Sequence, residues 1–447
     1  MNIQNIPNKA AVVGRVKSWL KNPTKKLPAS CTVFSVEDSM EGKDGIEESW
    51  IFVSHGLRNA AGVAIDLSKI RPINIQNSDG LVSSGAVSFA KMYSELNQLL
   101  RRGGTFKNGA VTLFLDHDHP DCQDFLNASP DFLPWAKKAI YVDETVKNNP
   151  LLPLIAQKVN EGSVWLAKKQ YDKKGNRIYS NVCLEVLLPS RGTCLLSHVN
   201  LGECSDLTEL PLVFMANMQW LCDLHANTGI GDKQYLSPSE DKQVGLGVIG
   251  LANLLAIHKT TYSQFVVDLE AINAGFTEDT TSVAYWLNKA YQSAAEVATA
   301  NGMERAFVVA PTANCHRRYT DSDGFTSSAE ISPPLNYFVD RDSELFGVET
   351  YEFHPKTEIA KNVGWDTQWR LLNAYQTMMD KTGLGHSISA NLWNDIKITD
   401  KWIVEEFMPS AIKTTYYRLT VNQDALDKSQ VMLACSVADS YCEACGG

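Results

Sequence analysis

The 447-residue chain contains no apolar run near the roughly 20 residues that a membrane-crossing helix needs. Its opening, MNIQNIPNKAAVVGRVKSWLKNP, holds no apolar core ahead of a small-residue cleavage site, so no export signal is read there. The expectation is a cytoplasmic protein with no membrane partner. An excess of basic charge is also missing. Against 41 Lys+Arg stand 51 Asp+Glu, a net charge of −10, which argues against nucleic acid held on a broad basic surface. It leaves room for a small pocket that takes phosphates. Cysteine is too sparse for a disulfide scaffold, at ten residues in the chain, and a cytosol would keep these thiols reduced. The default for any single one is a small buried hydrophobe. With 44% hydrophobic and 21% charged residues, a large core can form without disulfides or metals.

Short apolar runs alternate with longer helical patterns. CTVFSV, GVAIDL, AVTLFL, CLEVLL, AFVVA and KTTYYRLT read as strands; SFAKMYSELNQLLRR, PLVFMANMQWLCDLHAN, TSVAYWLNKAYQSAAEVATAN and DTQWRLLNAYQTMMDKT read as helices. That alternation predicts an α/β fold with much parallel pairing. No repeat and no low-complexity linker marks a second domain. The expected organisation is a helix-and-loop segment over 1–30, an α/β body over 31–430 and a flexible tail over 431–447.

Several motifs invite chemistry. GLGVIG, Gly245 to Gly250, has the letters of a dinucleotide fingerprint, but PSEDKQV before it does not read as a buried strand, and a close-packed helix start is expected. DHDHPD, Asp116 to Asp121, has metal-ligand residue types without a third group at a recognisable spacing; a solvated strand end and helix cap is expected, and no metal site. Cys442 and Cys445 form a CxxC at the end of the sequence, with neither a second pair for zinc nor a following helix. A tethered dithiol suits thiol–disulfide exchange at a site elsewhere in the fold. In SNVCLEVLLP, Asn181, Cys183 and Glu185 are spaced by two, so an extended segment would point amide, thiol and carboxylate to one side. Cys194 follows, and PASCTVF supplies Cys31 at a strand start. IKTTYYRLT sets Tyr416 beside Tyr417.

Taken in order, these segments resemble the catalytic subunit of a ribonucleotide reductase, from about Thr24 to the C-terminus. PTKKLPASCTVF is similar to the segment before the first redox cysteine, SNVCLEVLLP to the radical-cysteine segment and TCLLSHVNL to that of the second redox cysteine. APTANCHRRY resembles a Pro-Thr-Ala phosphate loop, HSISANLW a late helix and IKTTYYRLT a tyrosine strand. The resemblance implies a ten-stranded α/β barrel of two parallel five-stranded halves, with a finger loop carrying Cys183 to the centre. It also implies the residue roles. Cys183 would be the transient thiyl radical, Glu185 the base for the ribose 3′-hydroxyl and Asn181 a ribose-orienting partner. Cys31 and Cys194 would supply the reducing equivalents, and Cys442 and Cys445 would reduce the resulting disulfide and be recycled by thioredoxin or glutaredoxin. Ser30, Thr312 and Asn314 would contact the substrate, although relatives commonly have Ser or Thr where Asn314 and Cys315 stand. Asp38 and Arg71 match effector-binding positions, implying a deoxynucleotide or ATP effector with Mg and a homodimer when it is bound. Only some 30 residues precede Cys31, too few for the activity-switching nucleotide cone of many relatives. A compact form is expected, like viral or otherwise minimal reductases, working in a host cytoplasm if viral.

Two radical sources are open. In class I a ferritin-like metal subunit passes a radical through tyrosines; in class II adenosylcobalamin makes the thiyl radical directly. The adjacent tyrosines favour class I, with Tyr416 as inner and Tyr417 as outer relay. The expectation is therefore a ferritin-like partner, no cofactor bound to the chain itself, and a diphosphate substrate. A rival from another class, a dithiol–disulfide oxidoreductase using Cys442 and Cys445, leaves Asn181, Cys183, Glu185 and the tyrosines unused.

Overall fold

A computed structural model describes residues 3–23, 28–100, 109–228, 234–276, 279–343 and 347–421. Five of the strands pair in parallel in the order of the chain: Cys31–Ser35, Gly62–Asp66, Val111–Asp116, Lys137–Val142 and Trp165–Lys168. Their residues are almost continuously buried, as strands covered on both faces must be. A second sheet runs Leu196–Asn200, Gln243–Ile249, Arg305–Val309 and Gly385–Ile388, again all parallel, with Ala10–Val12 antiparallel at its edge. Helices cross between consecutive strands, the longest being Leu210–Ala226, Val283–Ala300 and Trp365–Lys381. The result is a mixed α/β fold of two parallel sheets.

The sheets meet at two seams. At one, Thr193–Cys194 pairs antiparallel with Cys31–Ser35, and the chain enters the second sheet at Leu196. At the other, Gly385–Ile388 leads into Ala390–Trp393, which pairs in parallel with Thr415–Leu419; Thr414 then bridges to Ala167 of the first sheet. One continuous apolar core fills the interior and includes Ala11, Val16 and Trp19, so residues 10–21 belong to the same body as the sheets.

Three local expectations change. GLGVI is a buried strand, and the helix starts only at Leu251 after Gly250 at φ 78°. The glycines let strands approach closely: a Cβ at Gly245 would lie 2.3 Å from Leu196 Cδ2, and one at Gly247 would lie 2.7 Å from the His198 ring. HSISANLW forms two strands and no helix, because it completes the sheet beside Arg305–Val309. DHDHPD is packed rather than solvated: His117, His119 and Asp121 are buried, and Arg177 pairs with Asp116.

Candidate active site

The segment between the strands Arg177–Ser180 and Leu187–Leu188 is a tight loop, not the extended run expected from the two-residue spacing. Leu184 lies at φ 67°, and the Asn181 carboxamide oxygen accepts from the Val186 N–H at 3.1 Å, closing the turn. Strand alternation therefore does not gather Asn181, Cys183 and Glu185; the turn does. All three are fully buried, at 0% exposure.

A buried loop must satisfy its own backbone. Here four successive carbonyls accept from four different residues. Thr112 Oγ1 donates to Val182 at 3.1 Å, Ser389 Oγ to Cys183, Thr414 Oγ1 to Leu184 at 3.2 Å, and the Ser387 N–H to Glu185 at 2.9 Å. His386 holds the loop's far end: its Nδ1 accepts from the Leu187 N–H at 3.1 Å and its Nε2 lies 3.0 Å from the Val244 carbonyl. These partners assign the proton to Nε2. Burial, then the nearby Arg305 charge, hold its pKa well below the usual imidazole value, so the ring is neutral.

Cys31 and Cys194 are cross-strand partners in antiparallel register. Such pairs have Cα atoms about 4.5–5.5 Å apart, inside the roughly 4.4–6.8 Å window of a disulfide. The two can close and reopen a disulfide without moving the backbone. Both are thiols in this structure. Burial first, then the hydrogen bond with Cys31 and the charges of Cys31, Glu185 and Cys183, push the Cys194 thiol well above its ordinary pKa. Cys31, Cys183 and Glu185 thus all lie near enough to Cys194 for their charges to act on it. Close to Cys31 and Cys183 in the chain, Ser30 Oγ, Ser180 Oγ and Asn181 Nδ2 are buried without a hydrogen-bond partner among the described residues.

The Pro-Thr-Ala loop leaves the C-terminal end of Arg305–Val309, where open parallel sheets place their ligands. It is one link from the finger loop. Val309 O accepts from the Ser389 N–H at 3.1 Å, and the Ser389 hydroxyl holds Cys183 O. Thr312 is buried, with its N–H and Oγ1 on the Glu330 carboxylate at 2.5 and 3.2 Å; Asn314 is half-buried. Arg71 Nε and Asp38 Oδ2 form an ion pair at 2.6 Å, so the two expected effector residues sit together beyond the ends of the first two parallel strands. Tyr416 and Tyr417 have ring centroids 4.2 Å apart, and Trp165 packs on both at 4.6 and 5.1 Å. Cys442, Cys445 and the whole 431–447 tail lie outside the described residues.

Sequence reasoning missed the polar clasp of Thr112, Ser387, Ser389, Thr414 and His386. It also missed Asp241, whose carboxylate accepts from the Thr193 N–H at 2.7 Å and so fixes the strand bearing Cys194. Burial pushes Asp241 up to about 7. The available signal was hydroxyl and imidazole groups inside segments otherwise apolar enough to be core strands.

Comparison with known proteins is consistent with this geometry. The family model described as "Ribonucleotide reductase, barrel domain" matches residues 29–131 and 158–332, more than half of the chain. A "Vitamin B12-dependent ribonucleoside-diphosphate reductase" of Mycobacterium tuberculosis (strain CDC 1551 / Oshkosh) is 27% identical over 282 residues, covering 52% of this chain and 39% of that protein. One of Thermoplasma acidophilum is 23% identical over 293 residues, covering 55% and 37%. A "Vitamin B12-dependent ribonucleotide reductase" of Agrobacterium fabrum is 29% identical over 100 residues, 22% of this chain and 8% of that protein. The chain thus spans well under half the length of these curated relatives. Among solved structures, the "Actinobacillus ureae class Id ribonucleotide reductase alpha subunit" superposes with a TM-score of 0.65 at 16% identity, covering 92% of this chain and 87% of that one, a likeness of fold alone.

These names correct two expectations. A ferritin-like metal subunit as partner and radical source, and a chain with no cofactor of its own, both conflict with relatives named as vitamin B12-dependent. The adjacent tyrosines misled because stacked aromatics on a strand pack equally well as plain core, as their contact with Trp165 illustrates. By its family match and its fold, the chain belongs to the ribonucleotide reductase barrel-domain family.

Proposed function

We propose that the chain is the catalytic barrel of a ribonucleotide reductase that replaces the 2′-hydroxyl of a ribonucleoside diphosphate by hydrogen, in the adenosylcobalamin-dependent class. The observation that carries the reading is the buried Cys31–Cys194 cross-strand pair with Cys183 and Glu185 beside it. Cys183, as a thiyl radical, takes the 3′-hydrogen of the ribose and becomes a thiol. Glu185 takes the proton of the 3′-hydroxyl, for which it needs only hydrogen-bond reach. The 2′-hydroxyl leaves as water with a proton from the dithiol. Cys31 and Cys194 close a disulfide, supplying two electrons and the second hydrogen, which goes to C2′; Cys183 then returns its hydrogen atom to C3′ and Glu185 its proton to the 3′-oxygen. Raised thiol pKa values suit this role, since Cys194 must arrive protonated. Asn181 Nδ2 and Ser30 Oγ orient the sugar, and the Thr312 loop takes its phosphates.

Support for the cobalamin class comes from the names of the relatives. A corrin does not fit against Cys183 in the conformation seen, because the thiol is fully enclosed and its loop is clasped on every carbonyl from 182 to 185. When bound, adenosylcobalamin would supply the hydrogen-abstracting radical.

The test is conversion of CDP to dCDP by the purified chain with adenosylcobalamin and dithiothreitol. Product with the wild type and none with Cys183→Ala supports the reading. Product from Cys183→Ala, or none from a folded wild type, sinks it. Dithiol exchange that survives in Cys183→Ala while no dCDP forms in either protein would favour a plain dithiol oxidoreductase.

A further inference from the structure

Glu330 stands where an anion is expected but a side chain is not. Its carboxylate accepts from the Thr312 N–H at 2.5 Å and from Thr312 Oγ1 at 3.2 Å, and its own N–H donates to Thr312 Oγ1 at 3.1 Å. These are the donors that a phosphate-binding loop offers, at the C-terminal end of a parallel strand. Reaching them requires φ of 40° at Glu330, a left-handed conformation that side-chain-bearing residues disfavour. A carboxylate and a phosphate oxygen want the same donors in the same geometry, so they compete.

We propose that Glu330 is a displaceable internal anion: it occupies the Thr312 amide and hydroxyl that substrate phosphates take over, and so sets how tightly a phosphorylated ribonucleotide binds. This rests on the reading of the Thr312 loop as the phosphate site, and goes beyond it by naming the residue that competes there. The released carboxylate has a favourable exit, since its left-handed backbone can relax when Thr312 lets go.

The competition depends on charge. Packed surroundings push the Glu330 carboxyl up to about 7, with the Thr312 hydrogen bonds pulling the other way. Among the described residues, the titratable groups that feel its charge are the Cys315 thiol on the same loop and the Tyr262 phenol from helix Tyr262–Ala274. Lys17 and Arg318 act on Cys315, and Glu358 binds the Tyr262 N–H. Above about pH 7 Glu330 is the anion that competes with phosphate; below it the neutral acid holds the amide weakly and cedes it.

Calorimetric titration with CDP and with cytidine, at pH 6 and pH 8, tests this on the wild type and Glu330→Gln. The glutamine keeps an acceptor for Thr312 but no charge. At pH 8, Glu330→Gln should bind CDP roughly tenfold more tightly than the wild type, the worth of one charge-assisted hydrogen bond. The ratio of the two affinities should shrink towards pH 6; taking that ratio at each pH removes the titration of CDP's own phosphate. Cytidine, with no phosphate, should bind both proteins alike. Equal or weaker CDP binding by Glu330→Gln at pH 8, with cytidine unchanged, would show that Glu330 only pins the loop and would overturn the proposal. Glu330→Asp, whose shorter arm cannot span to the Thr312 N–H, gives the same reading should the glutamine variant misfold: tighter CDP binding supports displacement, and weaker binding overturns it. If a folded wild type and both variants take no CDP, the phosphate-loop reading itself falls and Glu330's role with it.

Discussion

The finger loop and the Thr312 loop lie one hydrogen-bonded link apart, yet they are held by opposite means. Carbonyls 182–185 of the finger loop are gripped by three neutral hydroxyls and one backbone N–H, from three separate strand regions. The Thr312 amide is held by a single carboxylate from the loop that follows. Neutral donors from several strands cannot all be displaced at once, so Cys183 stays fixed, as the proposed radical chemistry would require; a geometry loose by even an ångström costs rate. A lone carboxylate can be exchanged for a phosphate. The difference teaches that one loop is locked by many partners and the other is held by a single one.

The largest effect should follow from removing the chemistry inside the fixed loop. Cys183→Ala deletes one buried sulfur, should leave the circular-dichroism melt nearly unchanged and should abolish dCDP formation. Cys31→Ser or Cys194→Ser should leave the fold intact and end turnover, because no cross-strand disulfide can then form; a steady-state product assay reads this directly.

Next come changes to the clasp. Ser389→Ala strips the donor from Cys183 O, and Thr414→Val strips it from Leu184 O while keeping the side-chain shape. Each leaves a buried carbonyl short of a partner, at a cost of about 1–3 kcal/mol in stability by chemical denaturation. Turnover should fall more than CDP affinity, since the fault is in positioning the thiol. Were affinity to fall and turnover hold, the contrast between a fixed and an exchangeable loop would be broken.

A smaller effect concerns pH. Burial raises Asp241 to about 7, so its contribution to stability is full below its unfolded value near 4 and is lost as pH rises through 7. Asp241→Asn keeps an acceptor for the Thr193 N–H and removes that loss. The melting temperature of the variant should therefore gain on the wild type between pH 5 and pH 8. No gain would mean that the charge on Asp241 is offset in the fold.

How much of this was legible beforehand follows from the kind of signal each residue sends. Runs such as VTLFL and AFVVA announce buried parallel strands by being apolar on both faces, and the helices from 210, 283 and 365 announce themselves by length and period. The residues Cys31, Cys183, Cys194 and Glu185 could be named from the resemblance. Their convergence could not be read from spacing, because 181–186 turns back on itself and strand alternation does not apply. The clasp was hidden for a plainer reason: Thr and Ser are ordinary strand residues, and only the fold shows that Thr112, Ser389 and Thr414 aim at one loop. GLGVIG misled because the polar PSEDKQV before it hides a strand that begins at Gln243 and whose glycines let Leu196 and His198 approach.

The smallest expected effect lies at Tyr416, on the strand that follows Thr414. Its ring is buried against Trp165 and Tyr417, and Tyr416→Phe keeps those contacts while removing one hydroxyl. If the radical reaches Cys183 from adenosylcobalamin, the phenol carries no electron, and the variant should turn over CDP within about twofold of the wild type. The strand's part in the site would then be Thr414's alone: a hydroxyl that holds the finger loop, with the aromatic pair as the packing that holds the strand. A loss of a hundredfold or more at unchanged stability would instead place an electron on the tyrosine. The fixed half of the centre would then include a conducting element as well as a clasp, and cobalamin would no longer account for the radical.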